Sequence, residues 1–333
     1  MTNLTNPIFQ NADAARKHLE AQRWPDGPVC PHCGCTGEDH ITALKGVRAA
    51  PSKANPEGAE RKGLYQCNGC RKQFTVTVGT VFERSKVPLN KWLLATFLLT
   101  SSKKGMSAHQ LHRTIGVTYK TAWFMFHRIR EAMKEDTSKT GPLGGSGKVV
   151  EADEMYHGKR DVPYKSPNRR TPYTKSGKSG GAQKRVIVGL VERGGQTRTF
   201  HVNVATKKTV REILVKNADR KSRLHTDESK LYVTTGQEFA RHQTTNHSAG
   251  EYARGDVNSN SIENVFSIFK RGMIGVYQHC GEAHLQRYLT EFDFRYNRRT
   301  KLGVDDTERH NQLLRMIEGK RLTYRRTGEA SFA

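Results

Sequence analysis

Acidic residues are scarce in this 333-residue chain: 32 Asp and Glu stand against 56 Lys and Arg, a formal net charge of +24. An excess of that size sets up a positive field that favours a polyanionic partner. It speaks against an ordinary metabolic enzyme, and more strongly against a secreted module stapled by disulfides. Hydrophobic residues are also sparse at 35%, with 8% aromatic, yet sufficient to build cores. The longest apolar run, Trp92 to Leu99, falls far short of the roughly 20 residues of a membrane span. The start of the chain carries Asp13, Arg16, Lys17 and Glu20 in place of a signal-peptide apolar stretch. The expectation is a soluble, cytoplasmic, nucleoid-associated protein with no membrane partner. No amphipathic anchor stands out, so nucleic acid fits the charge better than anionic lipid.

Cysteines number only six, and Cys280 stands alone while Cys30, Cys33, Cys35, Cys67 and Cys70 cluster near the start. In a reducing compartment such clustering reads as metal binding, not disulfides. Cys30-Pro-His-Cys33 and Cys67-Asn-Gly-Cys70 are two matched pairs separated by 33 residues. Each pair can supply two thiolates from one tight knuckle to a tetrahedral Zn²⁺, which predicts one structural zinc per chain. His32 and Cys35 are alternative ligands, and free thiols or a redox pair the bland reading. Tyr65 and Phe74 flank the second pair and suit a small β-ribbon core. The polar stretch 45–62 between the pairs reads as an extended loop.

Hydrophobic spacing divides the rest. Residues 11–23 predict a short amphipathic helix with Asn11 or Asp13 as its cap. From Leu89 to Met133 the pattern is helical, and the segment through Ile115-Gly116-Val117 into a helix from Thr118 has the form of a helix-turn-helix. A linker at 137–147 holds four Gly and one Pro. Beyond it, strands are predicted at 148–153, 185–192 and 199–204, a helix over 209–218 capped by Thr209, a strand at 223–227 and a helix over 259–271. The stretch 159–185 has nine Lys and Arg against one acid and reads as a basic loop.

Against this scarcity, acids at strand ends draw notice. Asp153 ends the run from Lys148, Asp227 ends Leu224-His225-Thr226, and Glu263 opens the helix that carries Lys270. The seven residues from Glu263 to Lys270 turn a helix to within about 20° of two full turns, so both share one face. Hard carboxylate oxygens suit Mg²⁺ or Mn²⁺, and two such ions stabilise the attacking and leaving oxygens of an in-line phosphoryl transfer. Glu151, Glu154 and Glu228 read as solvated neighbours. Each acid alone reads more simply as a cap or surface charge; the constellation carries the signal.

These segments resemble the DDE-type transposases of bacterial insertion sequences. The resemblance rests on Cys30–Cys33 with Tyr65–Val78, on Gly79-Thr-Val-Phe82, on Val150-Glu-Ala-Asp-Glu-Met-Tyr156, on Leu224-His-Thr-Asp-Glu-Ser229, and above all on 257–299. It implies an α/β ribonuclease-H-like core, a mixed sheet flanked by helices, preceded by a small zinc ribbon and a helix-turn-helix domain. The implied boundaries are an N-terminal helix at 1–27, the ribbon at 28–82, the helix-turn-helix at 83–136, the linker at 137–147, the core at 148–305 and a tail at 306–333. It further implies Asp153, Asp227 and Glu263 as the metal triad, with Asn260 and His247 as competitors for the third place, and Lys270 as the accompanying base. Such enzymes bind the terminal inverted repeats of their element, cut DNA with metal-activated water and join the freed 3′-hydroxyl to target DNA. A dimer or larger assembly is expected, since two ends must meet.

Thr118, Tyr119, Lys120 and Thr121 would face base edges if their helix enters the major groove. Arg128, Arg169, Arg170, Arg298 and Arg299 are candidate phosphate contacts, as are Lys175, Lys178 and Arg295. Two other readings are a non-catalytic DNA-binding regulator and a metal-dependent structure-selective nuclease.

Overall fold

The structure is a computed structural model that describes residues 4–51, 53, 56–162, 183–246, 250–251 and 253–323. The chain forms two units: Met1–Ser102 with Met106–Met133 and Asp305–Ala333, and Lys103–Gly105 with Lys134–Val304. No helix among the described residues is long and apolar enough to cross a membrane.

The first unit begins with a single turn, α1 (Pro7–Gln10), and α2 (Ala12–Arg23). Of the two predicted caps Asn11 is used: its side chain accepts from the N–H groups of Asp13 and Ala14. Three short antiparallel strands follow, β1 (Ile41–Leu44), β2 (Leu64–Cys67) and β3 (Gln73–Phe74). Trp24 meets Tyr65 and Phe74 edge-on, at 5.6 and 5.9 Å between ring centroids, and closes their small core. The 45–62 stretch is more ordered than an extended loop. Ala49 N–H donates to Ala59 and Arg61 N–H to Val47, so its two limbs pair with each other.

Helices α3 (Leu89–Ser101), α4 (Ala108–Ile115) and α5 (Tyr119–Ala132) follow. The local chemistry sets the α4–α5 turn. Ser107 caps α4 by accepting from Gln110 N–H, Gly116 ends it in the left-handed region at φ 62°, and Thr118 caps α5 by accepting from Thr121 N–H. The stretch beyond 305, read from sequence as a tail, instead carries a helix at Asp306–Arg315 in this first unit. There Leu313 and Leu314 are buried, and His310 packs against Phe9 and Phe97.

The second unit holds a turn, α6 (Thr137–Thr140), then β4 (Val149–Lys159), β5 (Lys184–Glu192), β6 (Thr197–Val202), α7 (Lys207–Asn217), β7 (Arg223–Asp227), a turn α8 (Val233–Gly236), β8 (Arg241–Thr245), α9 (Asn260–Gly272) and α10 (Leu285–Asn297). The last helix among the described residues, in the first unit, is α11 (Asp306–Arg315). Thr206, not Thr209, caps α7. The linker is not a free spacer, since Leu143 is buried and its N–H donates to Asn217. The sheet order is β6-β5-β4-β7-β8, with β6, β5 and β4 antiparallel and β4, β7 and β8 parallel.

Strand parity assigns the two faces. Val150, Ala152, Val188, Leu190 and Leu224 pack with Val210 and Leu214 of α7 on one side. Met155, Ile187 and Val191 pack on the other side with Ile262, Phe266 and Phe269 of α9 and Leu289 and Phe292 of α10.

One buried group makes the first unit sensitive to acid. Thr96 Oγ1 donates to Leu93 O and lies 2.8 Å from His310 Nε2, which assigns the Nε2–H tautomer as donor. Burial first, then repulsion from His18, pushes the His310 imidazole down to about 3. The unfolded chain takes up the proton near pH 6.5, so between 6.5 and about 3 the unfolded state binds more protons and stability falls as pH falls, by about 1.4 kcal/mol per unit. All three tryptophans (Trp24, Trp92, Trp123) lie in this unit. Urea unfolding followed by Trp fluorescence at pH 7 and pH 5 is therefore expected to show a shallower loss in His310→Gln, and equal slopes would refute the assignment.

Candidate active site

The β4 and β7 strands run parallel with Val149 beside Arg223 and Glu151 beside His225. Continued by two residues, that register sets Asp153 level with Asp227. Parity puts both side chains on the face covered by α9, whose first turn carries Glu263. Asp153 and Asp227 thus lie on neighbouring inner strands of one sheet face, with the first turn of α9 carrying Glu263 over that face. Burial, followed by the Asp227 and Glu154 charges and, more weakly, Glu263, pushes the Asp153 carboxyl up to about 7. Crowded like charges in a half-buried place have that effect, and a cation between them would relieve it.

Each acid is steadied from its own side. Asp153 Oδ1 accepts from Glu154 N–H at 2.7 Å, Asp227 Oδ1 from Ser229 N–H at 3.0 Å, and Glu263 Oε1 from Ser259 Oγ at 2.8 Å. Their oxygens do not form a group lying within 4.8 Å of one another; among the described residues the cysteine set alone does so. The hard oxygens, the shared face and the raised Asp153 pKa fit a divalent cation. Asn260 opens α9 with its N–H bonded to Asn258, and His247 lies outside the described residues. Lys270 is exposed two turns after Glu263, close enough to His157 of β4 to help lower that imidazole's pKa, after burial and Arg185.

Two neighbours read as solvated are not. Glu151 is 0% exposed, bonded to Arg193 and to the start of α9, and the half-buried Glu154 accepts from Tyr232 Oη at 2.7 Å and Ser229 Oγ at 3.1 Å on the opposite sheet face. Strand parity carried the missed signal: an acid two positions before Asp153, in a strand buried on both faces, points to the same face as Asp153. Gly189 is the other residue that went unnoticed. It pairs with Asp153 across β4 and β5, and a Cβ there would lie 2.6 Å from Ile262 Cδ1 and 2.8 Å from the Phe266 ring. Its bare Cα lets α9 approach the sheet beside the acids.

In the first unit, the thiols of Cys30, Cys33, Cys67 and Cys70 converge, with Cys30 3.7 Å from Cys70 and Cys33 3.5 Å from Cys67. Zinc–sulfur bonds of about 2.3 Å place tetrahedral sulfurs about 3.8 Å apart, so the set fits zinc. His32 and Cys35 are not in the set. The Cys67 thiol is pulled down to about 6, chiefly by the Cys70 backbone N–H. At Cys33 and Cys70 a backbone N–H is outweighed by burial and hydrogen bonds from the neighbouring sulfurs, which push both up to about 11.

The residues expected at nucleic acid divide. Thr118, Tyr119 and Lys120 are exposed at the start of α5 with Thr121 half-buried, and Tyr119 stacks on His109 at 4.2 Å. Arg128 is a correction: it is 9% exposed and donates to Leu322 O and Glu83 O, so its charge is spent on backbone carbonyls. Arg298 pairs with Glu135 and lies over the Phe294 ring; Arg299 donates to Gly195 O and Tyr296 O; Arg295 is buried against Glu291. All three are held by protein partners rather than presented. Arg169, Arg170, Lys175 and Lys178 lie outside the described residues.

Residues 142–297 match the ISXO2-like transposase domain and residues 10–73 the transposase zinc-ribbon domain. An uncharacterized protein in the transposable element ISH50 of Halobacterium salinarum is 27% identical over 299 residues, covering 86% of this chain and 91% of that protein. Among solved structures, the Mos1 mariner paired-end complex with Mn shares 9% identity over 58% of this chain and 73% of that one, at a TM-score of 0.21. The Mos1 strand transfer complex shares 12% over 65% and 79%, at 0.20. Structural likeness at that level carries no weight here.

Two outcomes follow from these geometries. Purified protein is expected to hold one zinc per chain by metal analysis, and Cys67→Ala to hold less than half an equivalent with its Trp fluorescence transition broadened. Gly189→Val is expected to lower the stability of the second unit by about 1–3 kcal/mol as α9 is forced outward; an unshifted far-UV melting transition would contradict the close packing.

Proposed function

The chain belongs to the IS1595-type DDE transposases with an N-terminal zinc ribbon, and we propose that it binds the ends of its element and cuts and joins DNA there through Asp153, Asp227 and Glu263. The observation that carries this reading is Asp153, held half-buried and repelled by Asp227 and Glu263 from two other elements. The sheet order, three antiparallel strands continued by two parallel ones with helices on both faces, supports a ribonuclease-H-like core. The α4–Gly116–α5 segment supports a helix-turn-helix.

In this account the three carboxylates would hold Mg²⁺ or Mn²⁺, two ions at the full site, and such ions when bound would lower the pKa of an attacking water and offset charge on the phosphate. Asp153 and Asp227 are fixed by adjacent strands, so their separation is set by backbone pairing and not by flexible side chains. Glu263 closes the site from the helix above. Lys270, further along the same helix face, grips a backbone phosphate downstream of the reacting one. The start of α5 presents Thr118, Tyr119, Lys120 and Thr121 to the major groove of the element end, with Tyr119 held rigid by its stack on His109. The zinc is structural. Two copies act together because two ends must be joined.

The test uses purified full-length protein and duplexes from the DNA flanking its reading frame, with Mg²⁺ or Mn²⁺. Wild type is expected to nick at the ends and join the 3′-hydroxyl to target DNA. Asp153→Asn and Asp227→Asn are expected to lose on the order of a hundredfold or more of that rate while binding the ends within about twofold. Wild-type activity in both variants would remove the catalytic reading and leave a regulator; cleavage without joining would leave a nuclease.

A further inference from the structure

The β4 carboxylate that the mechanism does not use is Glu151. It is fully buried, and both of its oxygens are committed. Oε2 accepts from the backbone N–H groups of Ser261 and Ile262, at 2.8 and 3.1 Å. These are among the first amides of α9, which have no partner within their own helix. Oε1 accepts from Arg193 Nε at 2.9 Å. Arg193 in turn donates to Asp256 O at 2.7 Å, and to Asn258 O and Oδ1 at 3.1 and 3.2 Å, gripping the segment that leads into α9. The buried charge is balanced twice, by the guanidinium and by the positive end of the helix dipole.

We propose that Glu151 is a positioning residue for the acid site: its carboxylate locks the first turn of α9 onto β4 and so fixes Glu263 against Asp153. The lever is short. Asp153 lies two residues along the strand from Glu151 on the same face, and Glu263 lies directly after the two amides that Glu151 holds. One side chain thus couples the two elements that supply two of the three acids. An amide at 151 could still accept the two N–H groups through its one oxygen, but its NH2 would face the Arg193 guanidinium, leaving that charge without a counter-charge and the helix start without its anion. The proposal rests on the acid-triad reading given above, and its test separates the two.

Full-length zinc-loaded protein is compared with Glu151→Gln, Arg193→Lys and Asp153→Asn. Amide hydrogen exchange is measured on zinc-loaded samples without added Mg²⁺ or Mn²⁺, and Mn²⁺ titrations follow end cleavage on the flanking-DNA duplex. In Glu151→Gln the Ser261 and Ile262 amides are expected to exchange at least about tenfold faster, with β5 and β6 amides unchanged. The Mn²⁺ concentration for half-maximal cleavage is expected to rise roughly 10- to 100-fold, with binding of the duplex within about twofold of wild type. Arg193→Lys keeps the charge but loses the fork, and is expected to shift both readouts the same way by less. If Glu151→Gln fails to fold, as judged by zinc content and far-UV circular dichroism, Arg193→Lys carries the test. Unchanged exchange at Ser261 and Ile262 would overturn the clamp. Faster exchange with a wild-type Mn²⁺ response would overturn its link to Glu263 while Asp153→Asn, being inactive, left the triad standing. Wild-type cleavage by Asp153→Asn would overturn the triad reading, and with it the metal half of the proposal.

Discussion

Three of the chain's few acids, Glu151, Asp153 and Glu154, sit within four residues of one strand that is buried on both faces. A carboxylate removed from water must be paired, hydrogen-bonded or protonated, and each of the three meets that demand differently. Glu151 has a guanidinium and two helix amides; Glu154 has a tyrosine and a serine hydroxyl on the far face; Asp153 receives the Glu154 amide and is pushed toward the neutral form. Satisfying the flanking acids concentrates the electrostatic deficit at Asp153, where Asp227 and Glu263 also converge. A metal-binding reading gains from this arrangement because the protein has balanced the neighbours and left its central acid for something else to balance.

The same physics explains what the sequence could and could not reveal. Apolar runs made β4, β5, β6 and β7 readable, but neither strand carried a signal of its neighbour; that β4 and β7 pair and set Asp153 level with Asp227 is a finding of the sheet order. Helix periodicity put Glu263 and Lys270 on one face. The strand β8, Arg241-His-Gln-Thr-Thr245, was invisible because an edge strand with polar side chains shows no alternation. Helix α11 escaped for a related reason: its buried Arg309 and His310 interrupt the apolar stripe that Leu313 and Leu314 complete. The stretch 137–147 read as a linker from its glycines and proline, but within it Leu143 is buried and docked on Asn217. The Cys-x-x-Cys pairs were the most legible feature, since ligand spacing survives whatever lies between the knuckles.

Net charge was the least reliable guide at the level of single residues. It pointed to a polyanion, yet Arg128, Arg130, Arg185, Arg198, Arg295 and Arg309 are all buried. Several of these guanidiniums satisfy backbone carbonyls or carboxylates inside their own unit. Arginine suits such places because its planar fork serves several acceptors and stays charged when buried. These arginines still contribute to the overall charge, but their donors are not presented at the surface, and a sequence count cannot say which ones are. The start of α5 is one exposed polar helix terminus of the first unit, with Thr118, Tyr119 and Lys120 open to solvent, which suits the reading of that segment as the one that meets base edges.

Helix α9 brings these threads together. It is pressed against the sheet at Gly189, where no side chain intervenes, and tied down at its first turn by Glu151. Two constraints from adjacent strands, one steric and one electrostatic, thus fix the helix at points that bracket Glu263. The third acid needs little of its own to be well placed: its Oε1 takes one serine hydroxyl, and the backbone delivers the rest. Positions on a helix held this way tolerate a change of ligand chemistry better than positions on a loop, because the location survives the substitution. Asp153 and Asp227 gain the corresponding security from strand pairing. The geometry of the site is therefore a property of the main chain and of two residues, Glu151 and Gly189, that lie outside the triad.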